Sequence, residues 1–247
     1  MKTRVLAGAA AMFALAGGQA FAAAGYVGAA YLDAETDVGG FEADDDGWGL
    51  EGAAAFEVSP AMGAQVGVAF ADSDEGDDAF SADGHLNLRN EQRLIGGFIA
   101  AGEAADETFW AIGGEGELYM SQLTLAGAIG YASFEDDVDS WALDGEARFF
   151  LSDNFKIEGK AGYANIDSDF GDDDLTTLGI GAEYQFGAAP LSILASYQHG
   201  EFDEADLSTD AFTIGARWNF GAGSLKDQDR TGASLPGLSS FTSSLGV

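Results

Sequence analysis

The stretch DAFTIGARWNF, residues 210–220, decides the fold because two kinds of side chain alternate along it. Every second residue from Phe212 to Phe220 is apolar, and the residues between them are Thr, Gly, Arg and Asn. The side chains of a β-strand point alternately to its two faces. The stretch therefore predicts a strand with one apolar face and one more polar face.

The same alternation recurs along most of the chain, in segments separated by turn residues or acidic residues. Each segment is close to the length that a tilted strand needs to cross a bilayer. The pattern predicts an all-β protein, a closed antiparallel up-and-down transmembrane β-barrel of about 12 strands. The predicted strands are 25–34, 48–58, 64–71, 79–89, 93–101, 108–120, 122–134, 140–150, 155–166, 175–186, 191–199 and 210–220.

The connections between these segments alternate in length and charge. The long ones are acidic and, together with Asp210, hold 29 of the 42 acidic residues and no Lys or Arg. The others are short and nearly neutral, which predicts one acidic end and one end of tight turns, as in membrane barrels. The long connections are 33–46, 72–78, 102–107, 135–139, 167–174 and 200–209.

Composition excludes several classes of function. A formal net charge of −32 repels nucleic acid, so no nucleic-acid partner is expected. The chain has no Cys and two His, His85 and His199, and it carries no GxSxG, Walker or HExxH motif. We therefore expect no enzyme, no catalytic residue and no cofactor.

The first 22 residues have the three-part plan of a secretory signal peptide. Lys2 and Arg4 precede an apolar run from Val5 to Ala16, and Ala20-Phe21-Ala22 places small residues at the −3 and −1 positions. Cleavage is expected after Ala22. The predicted organisation is a signal peptide at 1–22, a barrel at 23–220 and a flexible periplasmic tail at 221–247.

Alternation alone does not tell which face of the strands points inward. A soluble barrel would bury the apolar face, whereas a membrane barrel turns it toward lipid. Aromatic residues crowd the predicted strand ends, where the interfacial girdles of a membrane barrel lie. Together with the signal peptide, this favours the membrane.

With these features the chain resembles the Gram-negative outer-membrane β-barrel proteins of the porin-like class. The resemblance covers residues 23–220 and includes the closing strand, whose terminal Phe220 matches the aromatic residue that ends such barrels. It implies localisation in the outer membrane. The chain departs from the pattern through a further 27 residues, rich in Ser and Gly, for which a plug folded into the lumen or a contact with a partner is the alternative to a flexible tail.

On each predicted strand, every second residue belongs to the more polar face, and we call these positions the polar parity. The charged residues at these positions are the candidate pore-lining residues. On strands 140–150 and 155–166 they alternate in sign, which indicates either a salt-bridge ladder or a transverse field that sorts solutes. Glu115 and Glu117 face Ala126 and Ala128, with Arg93 the one base nearby, and are expected to bias the lumen toward cations. The candidates are Glu51, Glu57, Asp83, Arg89, Glu115, Glu117, Asp144, Glu146, Arg148, Lys156, Glu158, Lys160, Glu183 and Arg217.

The acidic connections have two interpretations. They keep exposed barrel ends soluble, or they offer oxygen ligands to Ca²⁺ or Mg²⁺, although their spacing does not match an EF-hand loop. Outer-membrane lipid and lipopolysaccharide are the expected partners, with divalent ions bridging acidic loops to lipopolysaccharide. No metal ligand and no oligomeric state is assigned.

The predicted function is a porin-like channel for passive diffusion of ions or small solutes, with a preference for cations. The alternative is a structural or surface-interaction barrel with a blocked lumen, whose acidic loops bind divalent cations, lipopolysaccharide or an external partner. A lumen filled by the tail, or by Phe109, Phe134 and Phe150, would favour the alternative.

Overall fold

The alternating segments pair into one antiparallel sheet. In the structure of the protein, a computed structural model, residues 23–73, 78–104, 107–135, 138–168, 171–205 and 207–235 are described. Within these ranges twelve strands follow one another. They are β1 (Ala23–Val38), β2 (Phe41–Ser59), β3 (Met62–Ser73), β4 (Ala79–Arg89), β5 (Arg93–Ala104), β6 (Glu107–Tyr119), β7 (Leu123–Phe134), β8 (Asp139–Ser152), β9 (Phe155–Ser168), β10 (Gly171–Gln185), β11 (Leu191–Phe202) and β12 (Leu207–Phe220).

The sheet closes on itself because β1 pairs with β12 as well as with β2. The closing register runs from Gly25 opposite Phe220 to Val38 opposite Leu207. A closed sheet has no edge, so backbone N–H and C=O groups find partners on neighbouring strands. The predicted closed antiparallel barrel of twelve strands is confirmed.

Several strands reach further into the acidic segments than the alternation predicts. The connection expected at 33–46 is wrong, since β1 and β2 continue to Val38 and Phe41 and leave Gly39 and Gly40 as the turn. Both glycines have positive φ, 58° and 86°, which suits a two-residue hairpin turn. Acidic side chains do not stop a strand whose backbone remains paired: this part of β1 is paired with β2 and β12, and β2 from Phe41 to Asp46 is paired with β1.

The outer surface of the barrel is apolar and carries two belts of aromatic residues. Toward the acidic end, cross-strand pairs such as Trp110–Tyr131 and Trp141–Tyr163 have ring centroids 5.7 and 5.3 Å apart. Toward the short-turn end, Tyr184 lies 5.4 Å from Phe186. Between the belts lie exposed Leu and Ile side chains, the surface that a membrane barrel presents to lipid.

The inner face is identified by contacts between strands that are not neighbours in the sheet. His85 of β4 bonds Glu115 of β6, and Arg148 of β8 bonds Glu117 of β6. Such side chains meet only inside the barrel. The polar parity therefore faces the lumen.

An apolar cluster covers one wall of the lumen toward the acidic end. Its members are almost fully buried on strands β5 to β10, and they cover alanines such as Ala142 and Ala164. The large side chains of the cluster are Phe98, Phe109 and Leu175, with Phe134, Ile166 and Phe202 packed against them. The inner residues of β11, β12 and β1 on the opposite side are more accessible to solvent, as at Ser196, Thr213 and Ala30.

The first part of the C-terminal tail is folded against the barrel. Helix α1 (Leu225–Thr231) begins after Ser224, whose side chain accepts a hydrogen bond from the backbone N–H of Asp227. Leu225 and Leu235 are buried. The flexible tail expected from composition is therefore wrong for residues 221–235, because buried side chains anchor them; residues 236–247 lie outside the described residues.

In the part of the chain that is described, no helix has both the length and the apolar character required to span a membrane. The predicted signal peptide at 1–22 lies outside the described residues.

Candidate functional site

The strand registers place all fourteen predicted pore-lining residues on the inward parity. For example, Glu51 lies opposite Gly28, which lies opposite Arg217, and Glu183 lies opposite Lys156. Asp144 is half-buried on β8, opposite Gly162. These charged positions form a network along the wall of the lumen, which we call the luminal charge network.

One branch of the network crosses β12 and β10. Arg217 donates from Nε to Glu51 Oε1 at 2.6 Å and from Nη1 to Glu183 Oε2 at 3.4 Å. Its guanidinium lies 4.5 Å from the ring centroid of Tyr26, a cation–π arrangement. Ser192 Oγ donates to the other carboxylate oxygen of Glu183 at 2.5 Å. Arg217 is thereby held between two carboxylates and an aromatic ring.

The branch continues along β9 with alternating charges. Lys156 Nζ lies 3.4 Å from Glu183 Oε2 and 2.8 Å from Glu158 Oε2, and Lys160 Nζ lies 3.4 Å from Glu158 Oε1. In the β8–β9 register, Glu146 is opposite Lys160 and Arg148 is opposite Glu158. Opposite charges thus face each other both along and across these strands.

Arg148 is the centre of a second branch and holds three carboxylates. Its Nη2 lies 2.6 Å from Glu146 Oε2, and its Nη1 lies 2.9 Å from both Glu117 Oε1 and Asp229 Oδ1. Asp229 belongs to α1, and its other oxygen accepts a 2.6 Å bond from Thr124 Oγ1. The tail is therefore part of the network.

A third group lies on the wall of β4 and β6. His85 Nδ1 lies 2.8 Å from Glu115 Oε1, and its Nε2 lies 2.5 Å from Asp83 Oδ1. The imidazole is fully buried between two carboxylates. His85 acts here as the polar partner of the wall and contacts no serine nucleophile.

The expectation that Arg93 is the one base near Glu115 and Glu117 is wrong. Glu115 has His85 and Glu117 has Arg148, while the exposed Arg93 lies opposite Leu118 on the outward parity. Their side chains are 1% and 0% exposed. Neither carboxylate is open to the space of the lumen.

Small residues in the intervening strands explain these long-range pairs. Ala126 of β7 lies opposite both Glu117 and Glu146, so Arg148 passes over it to reach β6. Gly96 of β5 lies opposite Glu115, and a Cβ there would approach Glu115 Oε1 to 3.2 Å. Strand alternation gives the face of a side chain but not how far it reaches across a small neighbour.

The accessible charges lie on the opposite wall from the buried pair. The Lys160 side chain is 42% exposed, and those of Glu51 and Arg217 are 25% and 24% exposed. Lys160 and Arg217 border a small chamber of about 100 Å³, whose floor is formed by residues of the tail, among them Gln228 and Ala233.

The remaining two candidates lie near the short-turn end. Glu57 and Arg89 line a cavity of about 560 Å³ together with Tyr119 of β6 and with Gly221 and Arg230 of the tail. The tail thus separates this cavity from the chamber above it.

We call the acidic residues of 33–46, 72–78, 102–107, 135–139, 167–174 and 200–210 the acidic rim, and those of its members that the structure describes lie at the other end of the barrel. The Asp172 carboxylate raises the pKa of Asp167, because each negative charge opposes ionisation of the other. Hydrogen bonds from Asn165 and Tyr163 lower the pKa of Asp174. In the described part of the rim, no group of three or more His, Asp or Glu side chains is arranged to hold a metal ion.

Several residues of the site were not singled out from the sequence. Thr124, Ser192 and Gln65 are buried polar residues on the inward parity. The alternation of polar and apolar residues along their strands was the one sequence feature that could have identified them. No sequence pattern identifies Asp229 as a residue of the site, because it lies beyond the last strand. His199 lies at the acidic end of β11, with Nδ1 2.8 Å from Asp210 Oδ1.

Solved structures with the same fold are outer-membrane barrels. The translocator domain of the autotransporter NalP from Neisseria meningitidis has a TM-score of 0.57 at 13% identity, covering 89% of this chain and 95% of that domain. The NanC porin gives 0.57 at 8% identity, covering 77% and 98%. An outer membrane channel from Pseudomonas putida F1 gives 0.56 at 12% identity, covering 80% and 95%. At these identities the likeness concerns the fold alone.

The closed barrel, its apolar belt and its charged lumen define an outer-membrane β-barrel of the porin type. The family profile described as Gram-negative porin matches residues 62–225. The chain belongs to this family, and its place is the outer membrane. Comparison of the sequence with curated proteins gave no match.

Proposed function

We propose that the barrel is a passive channel for ions and small solutes and that it prefers cations. The observation that carries the proposal is a lumen lined by accessible charged side chains beneath an entirely acidic mouth. Lys160, Arg217 and Glu51 are accessible charges of the lumen, and Glu57 is exposed near the short-turn end. We propose no chemical step and no cofactor for this site.

The preference for cations is argued from the balance of charge. On the inner face, nine of the fourteen candidate residues are acidic and five are basic, but Glu115 and Glu117 are buried, so the preference rests mainly on the acidic rim. The acidic rim contains no Lys or Arg. A negatively charged mouth concentrates cations at the entrance and repels anions.

The path for solutes follows the wall formed by β11, β12 and β1. The inner residues of these strands, such as Ser196, Thr213 and Ala30, are small and half-buried. The apolar cluster narrows the lumen from the opposite side. A solute moving along the open wall meets Arg217 and Glu51 next.

The reversal potential in a planar bilayer under a KCl gradient tests the preference. The full chain is expected to give a potential of the sign set by cation flow. Neutralising three rim charges in Asp44→Asn/Asp45→Asn/Asp46→Asn is expected to move the potential toward zero at about 0.1 M salt. At about 1 M salt, where the Debye length falls to about 3 Å, the two proteins should agree. An identical potential at low salt would refute the role of the rim.

A barrel with a blocked lumen is the second candidate, and the position of the tail favours it. Residues 221–235 lie across the short-turn end, Phe109 and Phe150 are buried, and Phe134 packs on the apolar cluster. In this case the rim would bind Ca²⁺ or Mg²⁺ and bridge to lipopolysaccharide. Removal of divalent ions with a chelator would then weaken binding of lipopolysaccharide by the full chain, with no conductance in any variant.

A further inference from the structure

Residues 221–235, which we call the C-terminal plug, cross the short-turn mouth of the barrel. The chain leaves β12 at Phe220, and α1 brings Asp229 to Arg148 and Thr124 on the β7–β8 wall. The backbone N–H and C=O of Leu235 then bond the Gln65 side chain on β3, each at 3.3 Å. The plug is therefore attached to two walls that are separated by several strands on either side.

The plug divides the two cavities of this end of the barrel. Leu225, Gln228 and Asp229 border the chamber of about 100 Å³ that contains the accessible charges. Gly221, Arg230 and Thr231 border the cavity of about 560 Å³ at the short-turn end. A solute that has passed the chamber meets the plug before it reaches that cavity.

Where the plug packs against the barrel, several buried polar atoms have no hydrogen-bond partner. Gln228 Oε1 and Arg230 Nε of the plug are buried and accept or donate no hydrogen bond. The same holds for Asn87 Oδ1 and Arg89 Nε of β4, and the Arg89 guanidinium contacts the plug at Gly232 O. Buried polar atoms without partners disfavour the state that contains them. Release of the plug would return these atoms to water.

Arg148 on the barrel wall keeps other ionic partners when Asp229 leaves. Arg148 retains Glu117 at 2.9 Å and Glu146 at 2.6 Å when the plug leaves. Two carboxylates already balance the guanidinium, so no buried cation is stranded. The apolar contacts of the plug are few and consist mainly of Leu225, Ala233 and Leu235.

From this geometry we propose that the C-terminal plug is a gate, closed when Asp229 binds Arg148 and Thr124 and open when the segment leaves the mouth. The inference rests on the proposed channel function and adds its regulation.

A reversible crosslink tests the gate in the full chain. Thr124 Oγ1 and Asp229 Oδ2 are 2.6 Å apart, and the chain has no cysteine, so Thr124→Cys/Asp229→Cys allows one disulfide. The oxidised protein is expected to conduct little, and a reductant added to the same bilayer should raise conductance several-fold. Thr124→Cys alone, the control, should not respond to the reductant. Equal conductance of the double variant before and after reduction, with the disulfide verified by thiol titration, would overturn the gate.

A second pair of variants does not depend on disulfide formation. Asp229→Asn removes the charge that Arg148 holds, and it should raise the ratio of open to closed time about tenfold, the worth of a charge-assisted hydrogen bond. Asp227→Asn changes an exposed carboxylate of the same helix and should leave the ratio unchanged. Equal ratios in the two variants would contradict the gate.

Failure of the gate is distinguishable from failure of the channel. A wild-type channel that conducts without regard to the state of the plug refutes the gate and keeps the channel function. Folded protein that stays silent in the wild type, in the reduced double variant and in Asp229→Asn refutes the channel function on which the gate rests.

Discussion

Arg148 organises the inner wall because three carboxylates converge on one guanidinium. Glu117, Glu146 and Asp229 come from β6, β8 and α1, and each lies within 2.9 Å of a guanidinium nitrogen. The side chain of Glu117 has no exposed surface. A buried carboxylate of this kind is stable only when a cation and hydrogen bonds remain with it.

Replacement of Arg148 by Met is therefore expected to destabilise the barrel. The variant leaves Glu117 charged and buried with no guanidinium, at a cost of about 3 kcal/mol in the free energy of unfolding. Urea unfolding in lipid vesicles measures the change. Arg93→Met, which alters an exposed side chain of the outward parity, is the control and should change stability much less. Equal effects of the two substitutions would contradict the account.

Because Gly96 has no side chain, it leaves the space in which His85 contacts Glu115. A Cβ at this position would lie 2.8 Å from the carbonyl oxygen of Leu86 and 2.9 Å from Asn87 Cβ. Gly96→Ala is expected to lower the free energy of unfolding by about 1–3 kcal/mol, the usual cost of overpacking. Gly84→Ala, for which a Cβ meets nothing within 4 Å, serves as the control. If both substitutions are neutral in the same unfolding assay, the space at Gly96 has no structural role.

At this scale the sequence predicted which face a residue occupies, but not which residue it contacts. Parity placed all fourteen candidates inward. The pairs His85–Glu115 and Arg148–Glu117 skip a strand, and they form because Gly96 and Ala126 between them are small. Local alternation contains no information about such second-neighbour contacts.

At the scale of elements, the hairpin of β1 and β2 shows how acid-rich sequence becomes a strand. Asp44, Asp45 and Asp46 lie in β2 and are paired with residues of β1. Composition predicted a loop there, because acidic residues have low strand propensity. Continuous pairing from the membrane-spanning part of the hairpin overrides that propensity, and Gly39-Gly40 ends it.

The turn of this hairpin provides a test at the element scale. Gly40 has φ of 86°, a left-handed conformation that a β-branched residue avoids. Gly40→Val is expected to cost on the order of 1–2 kcal/mol and to expose 33–46 to protease. Gly187→Val, in a turn where added atoms meet nothing within 4 Å, is the comparison. Equal protease sensitivity of the two variants would contradict the role of the turn.

The sequence offered the C-terminal plug only as the alternative to a flexible tail, because its anchors are sparse. Six Ser and five Gly in residues 221–247 indicate flexibility, and one charged residue, Asp229, makes the decisive contact. The partner of Asp229 lies on β8, far away in sequence. No pattern local to the tail identifies such a partner.

At the scale of the whole molecule, the two regions of charge differ. The acidic rim contains no Lys or Arg, whereas the wall of the lumen carries acidic and basic residues in pairs. Since carboxylates of the rim ionise at different pH values, acidification should reduce the cation preference gradually. Asp167 has a raised pKa, whereas Asp174 and Asp210 have lowered pKa values, so Asp167 protonates before these two residues as pH falls.

The expected result is a reversal potential that moves toward zero as pH falls from about 6 to about 3 at about 0.1 M KCl. The same titration at about 1 M KCl is the control, because salt screens the rim. A potential that does not change with pH at low salt would assign the selectivity to groups other than the rim.

Single-channel conductance of the refolded full chain in a planar bilayer under a KCl gradient tests the channel claim most directly. The account predicts discrete steps between a closed and an open level, with a reversal potential of the sign set by cations. Correctly folded protein that gives no steps, either as the wild type or with the plug released by Asp229→Asn, would contradict it.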